Sequence, residues 1–223
     1  MVIGGAVIGL VAGGLARYPI RAWPRDVAPS EPPAGSVEVA AAALFGLIVL
    51  RWGIDPFLPA LLVFVWALLV ATVIDLTYQI IPNRLTLRVP LALLPLVVLA
   101  AWVDGAFEAL IRALISAVVV PLIMLVLSEG FRLVRGNVGM GMGDIKLAVS
   151  IGLIVGYLGV FELVVSAYAA MGLAVVVAIV LLCTKRAKLA SKIPFGPYLA
   201  AGALVPLLGR DFVMDPVRAA LLG

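Results

Sequence analysis

Asp75 and Asp144 are the residues of this chain whose type and setting suit chemistry. Asp75 closes the unbroken apolar run Phe57 to Ile74, and Asp144 ends the glycine-rich run Gly139-Met140-Gly141-Met142-Gly143-Asp144-Ile145-Lys146. Three glycines at alternate positions give a backbone that can turn sharply and admit another chain closely, at an entropic cost that a plain connection between apolar helices need not bear. A carboxylate at a hydrocarbon edge is costly unless it meets a wet cavity or a partner. Two carboxylates a few ångströms apart cannot both ionise cheaply, so they share a proton and offer a base and an acid together. That pairing activates water for attack on an amide. The blander reading leaves each aspartate as a solvated helix end or the partner of a nearby cation.

Other chemistries are poorly supplied. The sequence has no histidine and a single cysteine, Cys183, which removes His bases, Cys-His pairs, disulfides and any ordinary zinc site. Cys183 lies in an apolar run and reads as a small buried hydrophobe. No metal is expected. Glu129, near the end of an apolar segment, reads as either a headgroup-level charge or a residue without an assigned role.

The elements that must bring the aspartates together are apolar helices. Of 223 residues, 65% are apolar and 13% charged, with a mean hydropathy of +1.24, whereas soluble domains are about half apolar and about a quarter charged. The expected fold is therefore all-α and polytopic, six to eight spans forming a single transmembrane domain over residues 1–223. Eight segments are read: Met1 to Ala16, Val37 to Leu50, Phe57 to Tyr78, Val89 to Val103, Ala109 to Phe131, Ile145 to Leu158, Phe161 to Cys183 and Pro194 to Leu208. Pro24 to Ser36, with four prolines, reads as an irregular loop. Several spans fall short of the ~20 residues that a ~30 Å core requires, so boundaries can shift and a short pair can be re-entrant.

Placing the N-terminus outside puts Arg17, Arg21, Arg25, Arg84, Arg88, Arg132, Arg135, Lys146, Lys185, Arg186, Lys188 and Lys192 in the cytoplasm, against Arg51, Arg112, Arg210 and Arg218 outside. The bias follows the positive-inside tendency and sets both aspartates at the cytoplasmic face. The partner is then the lipid bilayer, and the scattered basic residues exclude nucleic acid.

Asp75-Leu76-Thr77-Tyr78-Gln79-Ile80-Ile81-Pro82-Asn83 resembles the aspartate-bearing helix end of type IV prepilin peptidases, and Gly141-Met142-Gly143-Asp144-Ile145-Lys146 resembles their Gly-x-Gly-Asp-x-Lys signature. Gly9 to Arg25 is similar to the family's N-terminal span, and Ile193-Pro194-Phe195-Gly196-Pro197-Tyr198 to its Ile-Pro-Phe-Gly-Pro segment. Presenilin-type proteases are less similar, because their Pro-Ala-Leu motif follows the second aspartate, whereas Pro59-Ala60-Leu61 precedes Asp75 and reads as a helix start.

The resemblance implies an aspartic endopeptidase of the bacterial inner membrane, cutting the leader from type IV prepilins or pseudopilins after a glycine, with Asp75 and Asp144 as its catalytic pair. It implies that Gly141 and Gly143 present Asp144 and admit an extended substrate. Lys146 would bias the local field, anchor a lipid phosphate or snorkel. Pro82, Asn83 and Pro194 would shape the loops or contact substrate. Many members carry a cytoplasmic domain with two Cys-x-x-Cys pairs and methylate the new N-terminus with S-adenosylmethionine. Here residues 17–36 stand in its place without cysteine, so peptidase activity without a cofactor is expected. Two other classes stay open: a proton- or cation-coupled transporter using the same carboxylates, and a non-catalytic scaffold of a secretion or pilus machine. Oligomeric state is not legible.

Overall fold

Glycines spaced four apart decide how the first two helices meet. In the computed structural model, which describes residues 1–21, 33, 35–135, 140–185, 194–209 and 216, the chain forms α1 (Val2–Arg21), α2 (Ser36–Trp52), α3 (Leu58–Tyr78), α4 (Asn83–Asp104), α5 (Phe107–Arg135), α6 (Met142–Leu158), α7 (Val160–Cys183) and α8 (Gly196–Leu208). A Cβ at Gly9 would stand 2.6 Å from the Ala41 carbonyl oxygen, and one at Gly13 2.5 Å from the Glu38 Cα. The two backbones are therefore in direct contact, a small-residue seam of the kind that holds helices together where burial of apolar surface gives no advantage over lipid. Arg17 then pairs with Glu38, and its Nη2 also donates to the Pro33 carbonyl at 3.2 Å.

The same device joins α5 to α6. Gly152 and Gly156 face Ser116, and a Cβ on Gly152 would lie 2.3 Å from the Ser116 carbonyl oxygen. Arg112 locks the far end of this pair, donating from Nε to the Gly156 carbonyl at 2.9 Å and from Nη2 to that of Tyr157 at 2.8 Å. It thereby satisfies carbonyls that the end of α6 leaves without helical partners. Against α7, α8 is set closely too, since Gly202 would collide with the Ser166 carbonyl if it carried a side chain.

Around α3 these hairpins assemble. It is apolar on every side, and between Ala60 and Asp75 ten residues are buried and the others half-buried, as suits a helix packed among others. The Trp66 indole donates to the Ala12 carbonyl at 3.0 Å, tying α3 to α1. Most of α5 and α7, equally apolar, is exposed, which suits faces turned to lipid. Among the described residues, five helices are long and apolar enough to cross a membrane: Val2–Ile20, Leu58–Tyr78, Asn83–Asp104, Phe107–Val134 and Val160–Cys183. By contrast, α2 and α6 have 17 residues each and α8 only 13. The chain is an all-α polytopic membrane protein.

Several boundaries differ from expectation. The fourth helix starts at Asn83, not Val89, because Pro82 at φ −65° is already set as its N-cap; Arg84 and Arg88 thus lie in its first turns and not in a loop. Two further prolines, Pro90 and Pro95, sit inside it. The first helix runs on through Arg17 and Pro19 to Arg21, and the fifth continues past Phe131 to Arg135. Pro59 stands in the first turn of α3, as a helix start should. Cys183 is exposed and not buried, because the buried residues of α7 are confined to Glu162, Ser166 and Ala170 in its first half. Glu129 pairs with Arg132 one turn on, at 2.6 Å. The expected loop Pro24 to Ser36 falls outside the described residues apart from positions 33, 35 and 36, as does Gly139.

Candidate active site

At one end of the bundle, the last turn of α3, the connection to α4 and the first turn of α6 converge. Asp75, Gln79, Ile80, Ile81, Pro82, Asn83, Gly141, Met142, Gly143 and Asp144 line a single cavity of about 330 Å³. Each aspartate is nearly buried, at 4% and 7% exposure. They come from residues far apart in sequence, so the tertiary fold is what brings them to one cavity.

Asp75 is delivered by α3, which stops just beyond it. Gln79 takes φ 54° and donates its N–H to the Asp75 carbonyl at 2.8 Å, a left-handed turn that an L-residue enters only when its surroundings impose it. Ile80, Ile81 and Pro82 then lead into α4 without helical structure. The Asp75 carboxylate is fixed from a third direction: Oδ2 accepts the Gly196 N–H, at the first residue of α8, at 2.9 Å.

Asp144 stands in the first turn of α6, where the helix dipole favours a negative group. The Gly141 carbonyl accepts the N–H groups of Asp144 and Ile145 at 3.1 and 3.3 Å, closing that turn. Gly143 is the close-approach position. A Cβ there would be 2.9 Å from the Ile81 Cβ and 3.2 Å from the Ile81 carbonyl oxygen, so only glycine lets α6 lie against the segment that follows Asp75. At Gly141 a side chain would intrude to 3.0 Å from Asp144 Oδ2. The Met140 carbonyl is held in turn by the Ser128 hydroxyl at 3.4 Å, linking the turn to α5.

One atom in this arrangement is unsatisfied. Asp144 Oδ1 is buried and has no hydrogen-bond partner among the described residues. Leaving a buried carboxyl oxygen unpaired costs several kcal/mol, so stability alone does not account for it. A water or a substrate group in the cavity would supply the missing partner.

The Lys146 Nζ donates to Asn83 Oδ1 at 2.7 Å. Both side chains are solvent-facing, so the bond contributes on the order of 1 kcal/mol, but it ties the start of α4 to the start of α6 beside the cavity. Pro194 is half-buried two residues before α8 and does not line the cavity. Of the expected site residues, then, Asp75, Gly141, Gly143, Asp144, Pro82 and Asn83 share the cavity, and Lys146 joins it through Asn83. Gly196 and Gln79 are additions that side-chain chemistry does not announce. A glycine between Phe195 and Pro197, at a helix start where any residue would serve, is the available signal for the first. Among the described residues no cluster of three or more His, Cys, Asp or Glu could hold a metal.

Comparison with known proteins points the same way as these residues. The type IV leader peptidase family matches residues 62–186, a segment that holds both aspartates and covers more than half of the chain. The chain is 35% identical over 175 residues to the prepilin leader peptidase/N-methyltransferase of Stutzerimonas stutzeri, covering 78% of this chain and 58% of that protein. It is 34% identical, with the same coverage, to that of Pseudomonas aeruginosa, and 30% identical over 182 residues, covering 82% and 59%, to that of Neisseria gonorrhoeae. The chain thus spans somewhat under three-fifths of the length of the first two. No solved structure matches it significantly. With the family's match running through both aspartate segments and a relative above 30% identity over most of its length, the chain belongs to the type IV leader peptidase family.

Proposed function

We propose that this chain is an aspartic endopeptidase that removes the leader of type IV prepilins or pseudopilins, with Asp75 and Asp144 as the catalytic pair. The observation that carries the reading is that two nearly buried aspartates from separate helices line one cavity, one of them with an unpartnered oxygen. In this mechanism a water between the carboxyl groups loses a proton to one aspartate and attacks the carbonyl carbon of the scissile amide. The other aspartate, protonated, gives its proton to the carbonyl oxygen. Collapse of the tetrahedral adduct returns that proton to the carboxylate and expels the amine, which leaves with the proton first taken from water. Gly143, by bringing α6 against Ile81, and Gly141, by leaving room at Asp144 Oδ2, make the cavity floor backbone-lined and open to an extended peptide. The cavity lies at one end of the bundle, whereas carrier sites lie near the bilayer midplane, which favours hydrolysis over transport.

Purified protein in nanodiscs, mixed with a prepilin and followed by mass spectrometry, tests the reading. The expected product is a pilin lacking its leader, and an untouched substrate at high enzyme ratio would overturn it. The same experiment carries a second expectation. Residues 22–35 between α1 and α2 contain no cysteine and are too few to form a domain, so with S-adenosylmethionine supplied, the new N-terminus should show no added methyl group. A product heavier by one methyl would reject the cofactor-free reading while leaving the peptidase intact.

We infer that the cavity faces the cytoplasm, with the N-terminus outside. The support is the excess of basic residues at that end, together with the antiparallel hairpins that put Asp75, Asn83, Asp144 and Gly196 at one end of the bundle and Arg112, Trp52 and Leu207 at the other. In a Cys183→Ser background, Ile80→Cys and Met142→Cys, both at exposed positions lining the cavity, should react with an impermeant maleimide in inverted vesicles and not in intact cells. Labelling from outside the cell would reverse the orientation.

A further inference from the structure

The hydrogen bond from Gly196 to Asp75 couples the catalytic helix to an element that the two aspartate motifs do not mention. The Gly196 N–H is the donor at the start of α8, and it reaches the buried Asp75 Oδ2 at 2.9 Å. The absence of a side chain matters as much as the donor. A Cβ at Gly196 would be 2.8 Å from Asp75 Oδ2, 3.3 Å from its Cγ and 3.1 Å from Ile81 Cδ1. The carboxylate and the Ile81 side chain thus fill the space that any other residue would need. The rest of α8 is itself anchored, since Gly202 packs on the Ser166 carbonyl of α7 and, at the C-terminal end, the Leu207 carbonyl accepts the Trp52 indole N–H at 3.0 Å.

We propose that Gly196 is a positioning residue for the peptidase reaction: its backbone N–H and missing side chain fix the Asp75 carboxylate through Oδ2, leaving Oδ1 to engage the water. This rests on the reading of Asp75 and Asp144 as the catalytic pair. In its free state an aspartate rotates about χ1 and χ2, and only some of its orientations point an oxygen at a water shared with Asp144. A single donor delivered by the end of a packed helix removes that freedom before substrate arrives, so the gain falls on the chemical step and not on substrate binding.

Two variants separate the donor from the space. Gly196→Ala keeps the N–H and adds the Cβ that displaces the carboxylate; kcat should fall on the order of 100-fold with KM little changed. Replacing Gly196 by glycolic acid, introduced by cell-free nonsense suppression into the full chain in nanodiscs, turns the N–H into an ester oxygen and adds no atom. There kcat should fall by roughly tenfold or more, with KM and melting temperature retained. Gly172→Ala, at a position where a Cβ meets nothing within 4 Å, serves as the control and should cleave at the wild-type rate. The ester variant decides even if Gly196→Ala fails to fold. Wild-type kcat in the ester variant, or a loss that appears wholly in KM, would overturn the inference. Asp75→Asn in the same assay distinguishes the two levels: if it too cleaves normally, the catalytic pair itself is wrong, whereas an inert Asp75→Asn beside a fully active ester rejects Gly196 alone.

Discussion

Asp75→Asn and Asp144→Asn should each lower the rate of leader removal by on the order of 1,000-fold or more, measured as first-order cleavage of a prepilin under single-turnover conditions. In the proposed mechanism the two carboxyl groups have different tasks, so neither would substitute for the other, and the double variant should be little worse than either single one. Stability should not follow activity. Asparagine has nearly the shape of aspartate, and at position 144 it replaces a buried carboxyl whose Oδ1 has no hydrogen-bond partner among the described residues. Removing a buried ionisable group from such a place leaves the melting temperature unchanged or raises it. At position 75 the amide oxygen can still accept the Gly196 N–H, so the fold around α8 should persist as well. A single variant that cleaves within about tenfold of wild type would mean that the aspartates do not act as an acid and base pair.

Gly152→Leu should cause the largest loss of stability. Its Cβ would lie 2.3 Å from the carbonyl oxygen of Ser116, 2.7 Å from the carbonyl carbon and 2.9 Å from the Ala117 Cα. All three are backbone atoms of α5, so no rotamer change relieves the clash and the two helices must move apart. Overpacking of this kind costs about 3 kcal/mol. Gly172→Leu, with open space around its Cβ, should stay within about 0.5 kcal/mol of wild type. Melting of both variants in the same detergent gives the comparison, and equal melting temperatures would show that α5 and α6 are not packed as described. Activity should fall with Gly152→Leu even below its melting temperature, because α5 holds the Met140 carbonyl through Ser128 and so steadies the turn before Asp144.

The sequence shows the helices more plainly than it shows their ends. Hydropathy is read segment by segment, and eight apolar segments became eight helices among the described residues. The limits went wrong where charge was taken to end a helix. Arg84 and Arg88 belong to α4, and Arg17 and Arg21 to α1, because a helix emerging from a membrane can carry cations in its end turns; Pro90, Pro95, Pro121 and Pro206 lie inside helices as the expected spans had them, where neighbouring helices compensate for the lost donor. Both aspartates could be found because a carboxylate among apolar residues needs a reason. The close contact of Gly143 with Ile81 could only be suspected, since glycine records that space is needed and not what fills it. Gly196 was invisible as a partner of Asp75 because its donor is a backbone group that every residue but proline possesses. The Lys146 to Asn83 bond joins residues 63 positions apart, and neither type names the other.

The shortness of α8 bears on how a peptide bond reaches the aspartates. Thirteen residues rise ~20 Å, against ~36 Å for the 24 residues of α7 and ~30 Å for a hydrocarbon layer. Its Leu207 carbonyl is fastened to Trp52 at the far end of the bundle and Asp75 is bonded to its first residue, so α8 ties the site to that far end over a shorter path than α7 spans. The carboxylates are nearly buried, in a cavity of about 330 Å³ whose lining includes the exposed Gln79, Ile80, Asn83 and Met142. A peptide bond that is part of an intact helix cannot be attacked there, since its carbonyl is engaged and its neighbours make it ~10 Å wide. In the proposed reaction the segment to be cut would unravel and enter as a single extended strand. Access, more than side-chain recognition, would then ration which bonds are cut: a chain with no unwound stretch long enough to reach the two buried carboxyls would pass the cavity untouched.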